Sequence, residues 1–276
     1  MSETASAVRA VRATINYARD TGKAESFYAN DHSRDTVVLD PHEVEITDAR
    51  TLAEPPRLEV MGFELFTLPT AVTDWRDAEA TRAIHPGEIV AFIKRLSGAD
   101  EVTVGGPPIL RWGERSQEAG TRDNSNAARL VHSDCSYAAS EDMAAAGNPH
   151  PDRAVRRTAH YNVWRTFSGP PIDVPLTVAD FRTVSEDDII HANAVFDRDG
   201  QDLWSFVAMN FRCNPAHRWY YFSGMTPEEA IVFKRYDTDR SRPHFLPHTA
   251  FTDPTVGPEA TPRASVEMRA IAYWYA

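Results

Sequence analysis

The second half of the chain predicts a mainly β fold, either a sandwich or a barrel, preceded by an N-terminal α/β part. From Ala128 onward, short runs rich in β-branched and aromatic residues recur between turn residues at fairly even spacing. Before that point, one longer stretch has the apolar spacing of a helix. A jelly roll is one form that such a series of strands can take. We expect a single catalytic domain over residues 1–276, with the N-terminal α/β extension at 1–127 and the β core at 128–276.

The N-terminal part contains short strand-like runs and one amphipathic helix. Strands are expected at residues 13–17, 37–39, 44–46, 63–68 and 101–104. A helix is expected from about Asp77 to Leu96, because Ile89, Phe92 and Ile93 share one face, and Gly98 supplies its end. The polar stretch at residues 111–127 predicts a mobile loop that acts as a lid.

The C-terminal part is a series of short strands with little helix. Strands are expected at residues 130–132, 160–165, 176–178, 205–209, 219–222, 230–234 and 265–271. Helices are expected only at residues 142–146 and 226–230, the second because Thr226-Pro227-Glu228-Glu229 resembles a helix start.

Charge and cysteine content restrict the partners and the compartment. The net charge of −11 argues against nucleic acid and anionic membranes, which both attract basic surfaces. The chain has no apolar run of about 18 residues, so no membrane partner is expected. Two cysteines, Cys135 and Cys213, fit a reducing cytoplasm better than a disulfide scaffold.

Three residues of the β half have the composition of a metal site. His132 and Asp134 are two residues apart on a predicted strand, so their side chains project to the same side. His248 lies in a later segment, with His244 as a rival. Two imidazoles and one carboxylate hold one face of iron(II) and leave positions open for chemistry. A second His-x-Asp, His150-Pro151-Asp152, is bracketed by prolines and indicates a solvated turn.

Arg263 and Ser265 supply a candidate anchor for a dicarboxylic acid. They follow His248 by about one strand and one loop, and a guanidinium binds a carboxylate through two parallel hydrogen bonds. Arg269 is a rival anchor, but no serine lies two residues after it. With the three metal-binding candidates, this pair is typical of an oxygenase that depends on iron(II) and 2-oxoglutarate.

Several stretches in the same order resemble the CmcJ-like and AsaB-like hydroxylase/desaturase family of secondary metabolism. The resemblance is strongest from Val131 to Ala270 and is carried by residues 132–134, 162–165, 175–180, 214–222, 225–229, 236–237, 247–251 and 262–269. Where the family arginine is often followed by a basic residue, Ala264 follows Arg263 here.

The resemblance implies a double-stranded β-helix, a cupin-like jelly roll, that uses Fe(2+) and 2-oxoglutarate. It implies that His132, Asp134 and His248 are the catalytic metal ligands, and that Arg263 and Ser265 bind 2-oxoglutarate. It further implies that three residues of one core strand bind the substrate, namely Asn162, Trp164 and Arg165. Core packing is the favoured alternative for Trp164, and a position at a sheet edge is an equal alternative for Asn162 and Arg165.

The expected activity is hydroxylation, desaturation or cyclisation of a small secondary metabolite with dioxygen. One alternative is a non-oxidative, metal-dependent cupin-like isomerase or hydrolase. Another is a metal-free β-sandwich that binds a small molecule. A homodimer is a candidate state, because the aromatic run at residues 219–222 suits either a core or an interface and the apolar tail at residues 272–276 suits docking on a partner subunit.

Overall fold

Two β sheets form the body of the protein in the computed structural model, which describes residues 8–276. The strands, in chain order, are β1 (Ala10–Ala18), β2 (Glu25–Tyr28), β3 (Leu39–Asp48), β4 (Phe63–Thr67), β5 (Glu101–Val104), β6 (Ile109–Trp112), β7 (His132–Ser133), β8 (Val155–Thr166), β9 (Leu176–Ala179), β10 (Ile189–Arg198), β11 (Gln201–Phe211), β12 (Trp219–Tyr221), β13 (Glu229–Asp237), β14 (His248–Ala250) and β15 (Ala264–Tyr275). The α-helices are α1 (Leu58–Met61), α2 (Ala78–Ser97) and α3 (Tyr137–Ala146).

The strand order places the early strands at the edges of both sheets. The nine-stranded sheet runs β1-β3-β12-β9-β14-β7-β11-β10-β2, and the six-stranded sheet runs β4-β13-β8-β15-β5, with β6 also paired to β15. Strands that precede residue 113 therefore flank two sets of strands formed by residues 132–275. The prediction of a mainly β fold is confirmed, whereas the division of the domain at residue 127 stays a prediction.

Apolar side chains fill the space between the two sheets. Trp164 on β8 and Phe233 on β13 belong to the same buried cluster as Leu176 and Val178 on β9. Each such side chain stabilises the fold by roughly 1.5–3 kcal/mol when it is removed from water. This packing fixes β8 of one sheet against the centre of the other.

Helix α2 confirms the helix predicted from apolar spacing. Asp77 accepts hydrogen bonds from two backbone N–H groups of the first turn, and Gly98 ends the helix with a positive φ of 66°. Ile89, Phe92 and Ile93 pack in one cluster with residues of β8, β13 and β15. The helix thus covers the outer face of the six-stranded sheet.

The helix expected at residues 226–230 is wrong, because this segment is a turn that leads into β13. The Glu229 side chain accepts a hydrogen bond from the Thr226 N–H at 3.0 Å and so closes the turn. Ile231, Val232 and Phe233 then continue as a buried strand, which their β-branched and aromatic side chains favour. The other expected helix is longer than predicted and begins at Tyr137, after the N-cap residue Ser136.

The segment at residues 111–127 is more ordered than the expected mobile loop. Its start lies in β6, and the backbone of Trp112 makes hydrogen bonds with Ser125 and Ala127. Arg129 holds Glu114 through two contacts of 2.7 Å. Whether the rest of this segment acts as a lid stays a prediction.

The aromatic runs lie inside the protein. Trp219 and Tyr221 are buried in the nine-stranded sheet, and the C-terminal Tyr273 and Tyr275 are buried on β15. They therefore lend no support to the predicted homodimer. Cys135 and Cys213 are both free thiols, as predicted. Among residues 8–276, none of the helices combines the length and the apolar composition that a bilayer crossing requires.

Candidate metal centre

Two neighbouring strands bring His132, Asp134 and His248 together. β7 lies between β14 and β11 near the middle of the nine-stranded sheet, and His132 is the direct partner of His248 in the antiparallel register. One ligand atom from each of the three residues lies within 4.8 Å of the others. The predicted triad therefore converges on one point, in a part of the sheet with little exposure to solvent.

Each imidazole of the triad is oriented by a backbone carbonyl. The Nδ1 atom of His132 is 2.8 Å from the Leu130 oxygen, and that of His248 is 3.0 Å from the Leu246 oxygen. Because a carbonyl only accepts, both Nδ1 atoms carry the proton, and both Nε2 atoms keep a free lone pair. This tautomer is the one that binds a metal through Nε2.

Burial keeps both rings neutral. It is the largest cause that lowers the pKa of His132 to about 4, and the pKa of His248 is lowered by burial as well. A neutral imidazole has the lone pair that a metal needs, whereas an imidazolium does not. The rival His244 lies elsewhere, with its Nε2 atom 3.1 Å from Glu186.

The Asp134 carboxylate is held ionised by donors from two strands of the other sheet. Asn162 donates to Oδ2 at 2.6 Å, and Arg269 donates to Oδ1 at 2.7 Å. Burial alone would raise the pKa of Asp134, but the charge of Arg269 and its other neighbours hold the pKa well below the usual range. A carboxylate has about four acceptor positions, so two donors leave capacity for a metal. The donor set fits a divalent cation.

Arg263 is a buried cation without an anionic partner. It is 2% exposed, and in the described part of the chain no carboxylate forms an ion pair with it. Its Nε donates to the Ser265 hydroxyl at 2.9 Å, and its guanidinium lies 5.1 Å from the centre of the Trp164 ring. Burial, then Arg111 and Arg129, lower the pKa of Arg263 to about 9. An unpaired buried charge is costly, so this site fits an anion such as a carboxylate.

A cavity of about 700 Å³ opens onto two residues of the triad, His132 and Asp134. His132, Asp134 and Arg269 contribute to its polar wall, whereas Phe196 and Phe206 contribute to its apolar wall. Ligand cavities of this size combine apolar walls with a few convergent polar groups. The cavity therefore has room for a small organic molecule beside the candidate metal ligands.

The three predicted substrate-binding residues of β8 do not share one role. Asn162 and Trp164 face the nine-stranded sheet, where Asn162 holds Asp134 and Trp164 packs beneath Arg263. Arg165 projects to the opposite face, toward α2, and its guanidinium lies 5.9 Å from the centre of the Trp75 ring. Adjacent residues of a strand point to opposite sides, so the Arg165 side chain faces away from the triad, and its substrate-binding role stays a prediction.

Arg269 is the residue that sequence reasoning undervalued. It was considered only as a rival anchor, yet it contacts Asp134 directly and is also paired with Glu267 at 2.9 Å. The signal was present in the alternation of β15, since Arg263, Ser265, Glu267 and Arg269 lie two residues apart on one face. The other His-x-Asp, at residues 150–152, lies in a turn as predicted.

A family model described as "Oxidoreductase/YMDC permease-like domain" matches residues 15–273. The chain belongs to this family. A similar curated protein is the Fe(II)/2-oxoglutarate-dependent dioxygenase nvfI of Aspergillus novofumigatus, 28% identical over 240 residues, with 84% of each chain covered. Another is the hydroxylase/desaturase CTB9 of Cercospora beticola, 28% identical over 235 residues, with 79% of this chain and 72% of that protein covered. The predicted membership among hydroxylase/desaturase relatives is confirmed.

The fold is shared with a solved structure described as the iron and alpha-ketoglutarate-dependent endoperoxidase NvfI. The two superpose with a TM-score of 0.81 and 23% sequence identity, covering 97% of this chain and 98% of that one. This similarity confirms the cupin-like fold that the sequence predicted.

Proposed function

We propose that this protein is an iron(II)- and 2-oxoglutarate-dependent oxygenase that hydroxylates, desaturates or cyclises a small organic molecule. The observation that carries the proposal is the pairing of two features in one fold. One is a neutral His132/His248 pair beside an ionised Asp134, and the other is the buried, anion-free guanidinium of Arg263. A non-oxidative enzyme or a simple binding protein has no need of the second feature.

In this proposal the residues of the chain have separate tasks. His132 and His248 bind iron through Nε2, and Asp134 supplies the carboxylate ligand. Arg263 binds the far carboxylate of 2-oxoglutarate through its guanidinium, and Ser265 fixes the orientation of Arg263. When bound, iron(II) and 2-oxoglutarate supply the chemistry that activates dioxygen and removes hydrogen from a C–H bond of the substrate.

The protein also keeps water away from the reacting atoms. Asn162 and Arg269 lie behind Asp134 and each donates to one of its oxygens, so no water is needed as a donor on that side. The apolar wall at Phe196 and Phe206 excludes water from the substrate side. We further infer a cytoplasmic enzyme, since both thiols are free.

The test is the formation of succinate from 2-oxoglutarate, with dioxygen consumption followed in parallel. Wild-type protein with iron(II) should form succinate slowly even without the organic substrate. The His248→Ala variant should form succinate at least about 100-fold more slowly than wild type. The His150→Ala variant, which changes the other His-x-Asp, should keep the wild-type rate. Tight iron binding without dioxygen consumption would instead support the non-oxidative alternative.

A further inference from the structure

A second cavity of about 820 Å³ adjoins the one at the triad. The two cavities share three lining residues, Asn124, Phe196 and Arg269. Since Arg269 binds Asp134, the inner end of the second cavity reaches the residues that hold the candidate metal centre. A molecule in this cavity therefore lies close to the site of the proposed chemistry.

Arg235 on β13 lines this cavity and is a second buried cation without an ion pair, although the Asp134 carboxylate, which is paired with Arg269, interacts with its charge at longer range. It is 3% exposed, and within residues 8–276 it makes no ion pair with a carboxylate. Its Nη2 atom lies 3.2 Å from the His160 Nδ1 atom, and its buried Nε has no hydrogen-bond partner. Burial, then Arg235, hold the pKa of His160 well below its ordinary value, so this ring is neutral and brings no compensating charge.

The other arginines of the two cavities differ from Arg235. Arg122 is exposed, Arg111 donates to the Asn126 carbonyl, and Arg129 is paired with Glu114. Arg269 has two ion pairs, with Asp134 and Glu267. Arg82 is exposed, so water compensates its charge. Arg165 is also buried and incompletely hydrogen-bonded, but it lines neither cavity. Arg235 thus combines a buried charge, missing partners and access to a cavity, and these together point to an anionic ligand.

The walls of the second cavity are mainly apolar. Phe196 and Trp204, from the β10–β11 hairpin, stack with ring centres 4.0 Å apart and nearly parallel planes. Trp204 is 51% exposed, so part of its ring is available to contact a ligand. Leu110 and Ile271 contribute apolar surface from β6 and β15. A ligand for this space has an apolar body as well as an anionic group.

We propose that the substrate is an apolar carboxylic acid that extends from the cavity at the triad into the second cavity, with its carboxylate at Arg235 and its apolar body against Phe196 and Trp204. This inference rests on the proposed oxygenase function and names the substrate class of that site. Arg235 is then a residue that determines specificity, distinct from Arg263, which holds the co-substrate. The overall charge of −11 repels anions from the surface, so their recognition depends on such local cations.

The test compares two ligands of the same shape, 2-naphthoate and the neutral 2-naphthamide, by calorimetry. Binding is measured on EDTA-treated protein and again with Mn(II) and 2-oxoglutarate bound without dioxygen. Wild type should bind naphthoate at least about 10-fold more tightly than naphthamide, because a buried ion pair with a guanidinium favours the charged ligand. Arg235→Gln should abolish this preference. Arg82→Gln, which removes the same charge from the exposed part of the cavity, should leave the preference intact.

Equal affinity for the two ligands in wild type would overturn the proposal, as would a preference that survives in Arg235→Gln. If the preference for naphthoate is lost in Arg263→Gln but kept in Arg235→Gln, the carboxylate binds at the co-substrate anchor. That result would also overturn the proposal. Arg235→Lys keeps the charge and should keep part of the preference, which separates recognition from a folding defect. Binding of Mn(II) and 2-oxoglutarate is scored separately, so a failure of the oxygenase proposal is recognised independently.

Discussion

Asp134 links the two sheets through its hydrogen bonds. It belongs to the segment after β7 in one sheet, but both of its hydrogen-bond donors come from strands of the other, Asn162 from β8 and Arg269 from β15. These donors fix the direction of the carboxylate and keep it ionised. Groups that orient a metal ligand in this way commonly change metal affinity by about 10–100-fold when they are removed.

Replacing Asn162 with alanine should therefore weaken metal binding. We expect Asn162→Ala to bind Mn(II) about 10-fold less tightly than wild type, because one oxygen of Asp134 loses its donor. Calorimetric titration of the metal-free protein measures this affinity. Asn193→Ala is the matched control, since Asn193 lines the same cavity without contacting Asp134. An unchanged affinity in Asn162→Ala would show that this hydrogen bond does not support a metal site.

Ser265 is predicted to affect the affinity for 2-oxoglutarate and not the affinity for the metal. Its hydroxyl accepts from Arg263 Nε and donates to the Arg111 carbonyl at 3.2 Å. Without this hydroxyl the guanidinium loses a fixed orientation, so Ser265→Ala should weaken 2-oxoglutarate binding about 10-fold. Titration of the Mn(II)-loaded protein measures it, and Mn(II) affinity itself should not change.

Ser168→Ala is the control for this change, because the Ser168 hydroxyl bonds to the backbone of Ala264 and does not contact the Arg263 side chain. Equal losses of 2-oxoglutarate affinity in both serine variants would indicate a general disturbance of β15. That result would contradict a specific role for Ser265.

At the scale of helices and strands, the sequence predicts those elements whose boundaries are determined by local interactions. Helix α2 was predictable because its apolar face, its Asp77 cap and its Gly98 end are all encoded within about 20 residues. The prediction of a helix at 226–230 is wrong because the residues that resemble a helix start form a turn instead. The residues after this turn pair with β4 and β8. Pairing with distant strands overrides a local propensity.

Helix α2 also contains a group that makes stability depend on pH. His85 is 1% exposed at the side chain, and burial lowers its pKa to about 4, with Glu88 only partly opposing this. The unfolded chain, with a histidine pKa near about 6.5, binds more protons between these values. Stability is therefore lost as the pH falls from about 6.5 toward 4.

We expect the free energy of unfolding to decrease by on the order of 2 kcal/mol between pH 6.5 and 4.5 through His85 alone. Urea unfolding of wild type and His85→Gln at both pH values measures this term, since the variant should show a smaller decrease. His191→Gln, at an exposed histidine, is the control and should behave like wild type. Identical pH dependence in His85→Gln and wild type would refute the assignment.

At the scale of the whole molecule, an acidic protein encloses several arginines. The net charge is −11, yet Arg235 and Arg263 are buried, and Arg235 and Arg269 line the cavities. Only Arg269 has carboxylate partners in the described part of the chain. The molecule is therefore arranged to accept anions at its interior while its surface repels them.

The sequence distance between contacting residues determines which parts of the site could be predicted from the sequence. His132 and Asp134 were predictable because a strand places alternate residues on one side, and the segment around His248 was recognisable from its order in the chain. The Asp134–Asn162–Arg269 contacts join residues 28 and 135 positions apart. No local pattern encodes such contacts. The face of β8 on which Arg165 lies is not predictable from sequence, because the periodicity of β8 does not say which of its faces meets α2.

The central claim is that the triad and Arg263 hold iron(II) and 2-oxoglutarate together. Its most direct test is anaerobic titration of the purified protein with both, followed by the weak visible charge-transfer band that their joint binding produces. We expect this band in wild type and in Asp152→Ala, and its loss or weakening in Asp134→Ala and Arg263→Ala. A band of equal strength in all four proteins, or none in wild type with iron bound, would contradict it.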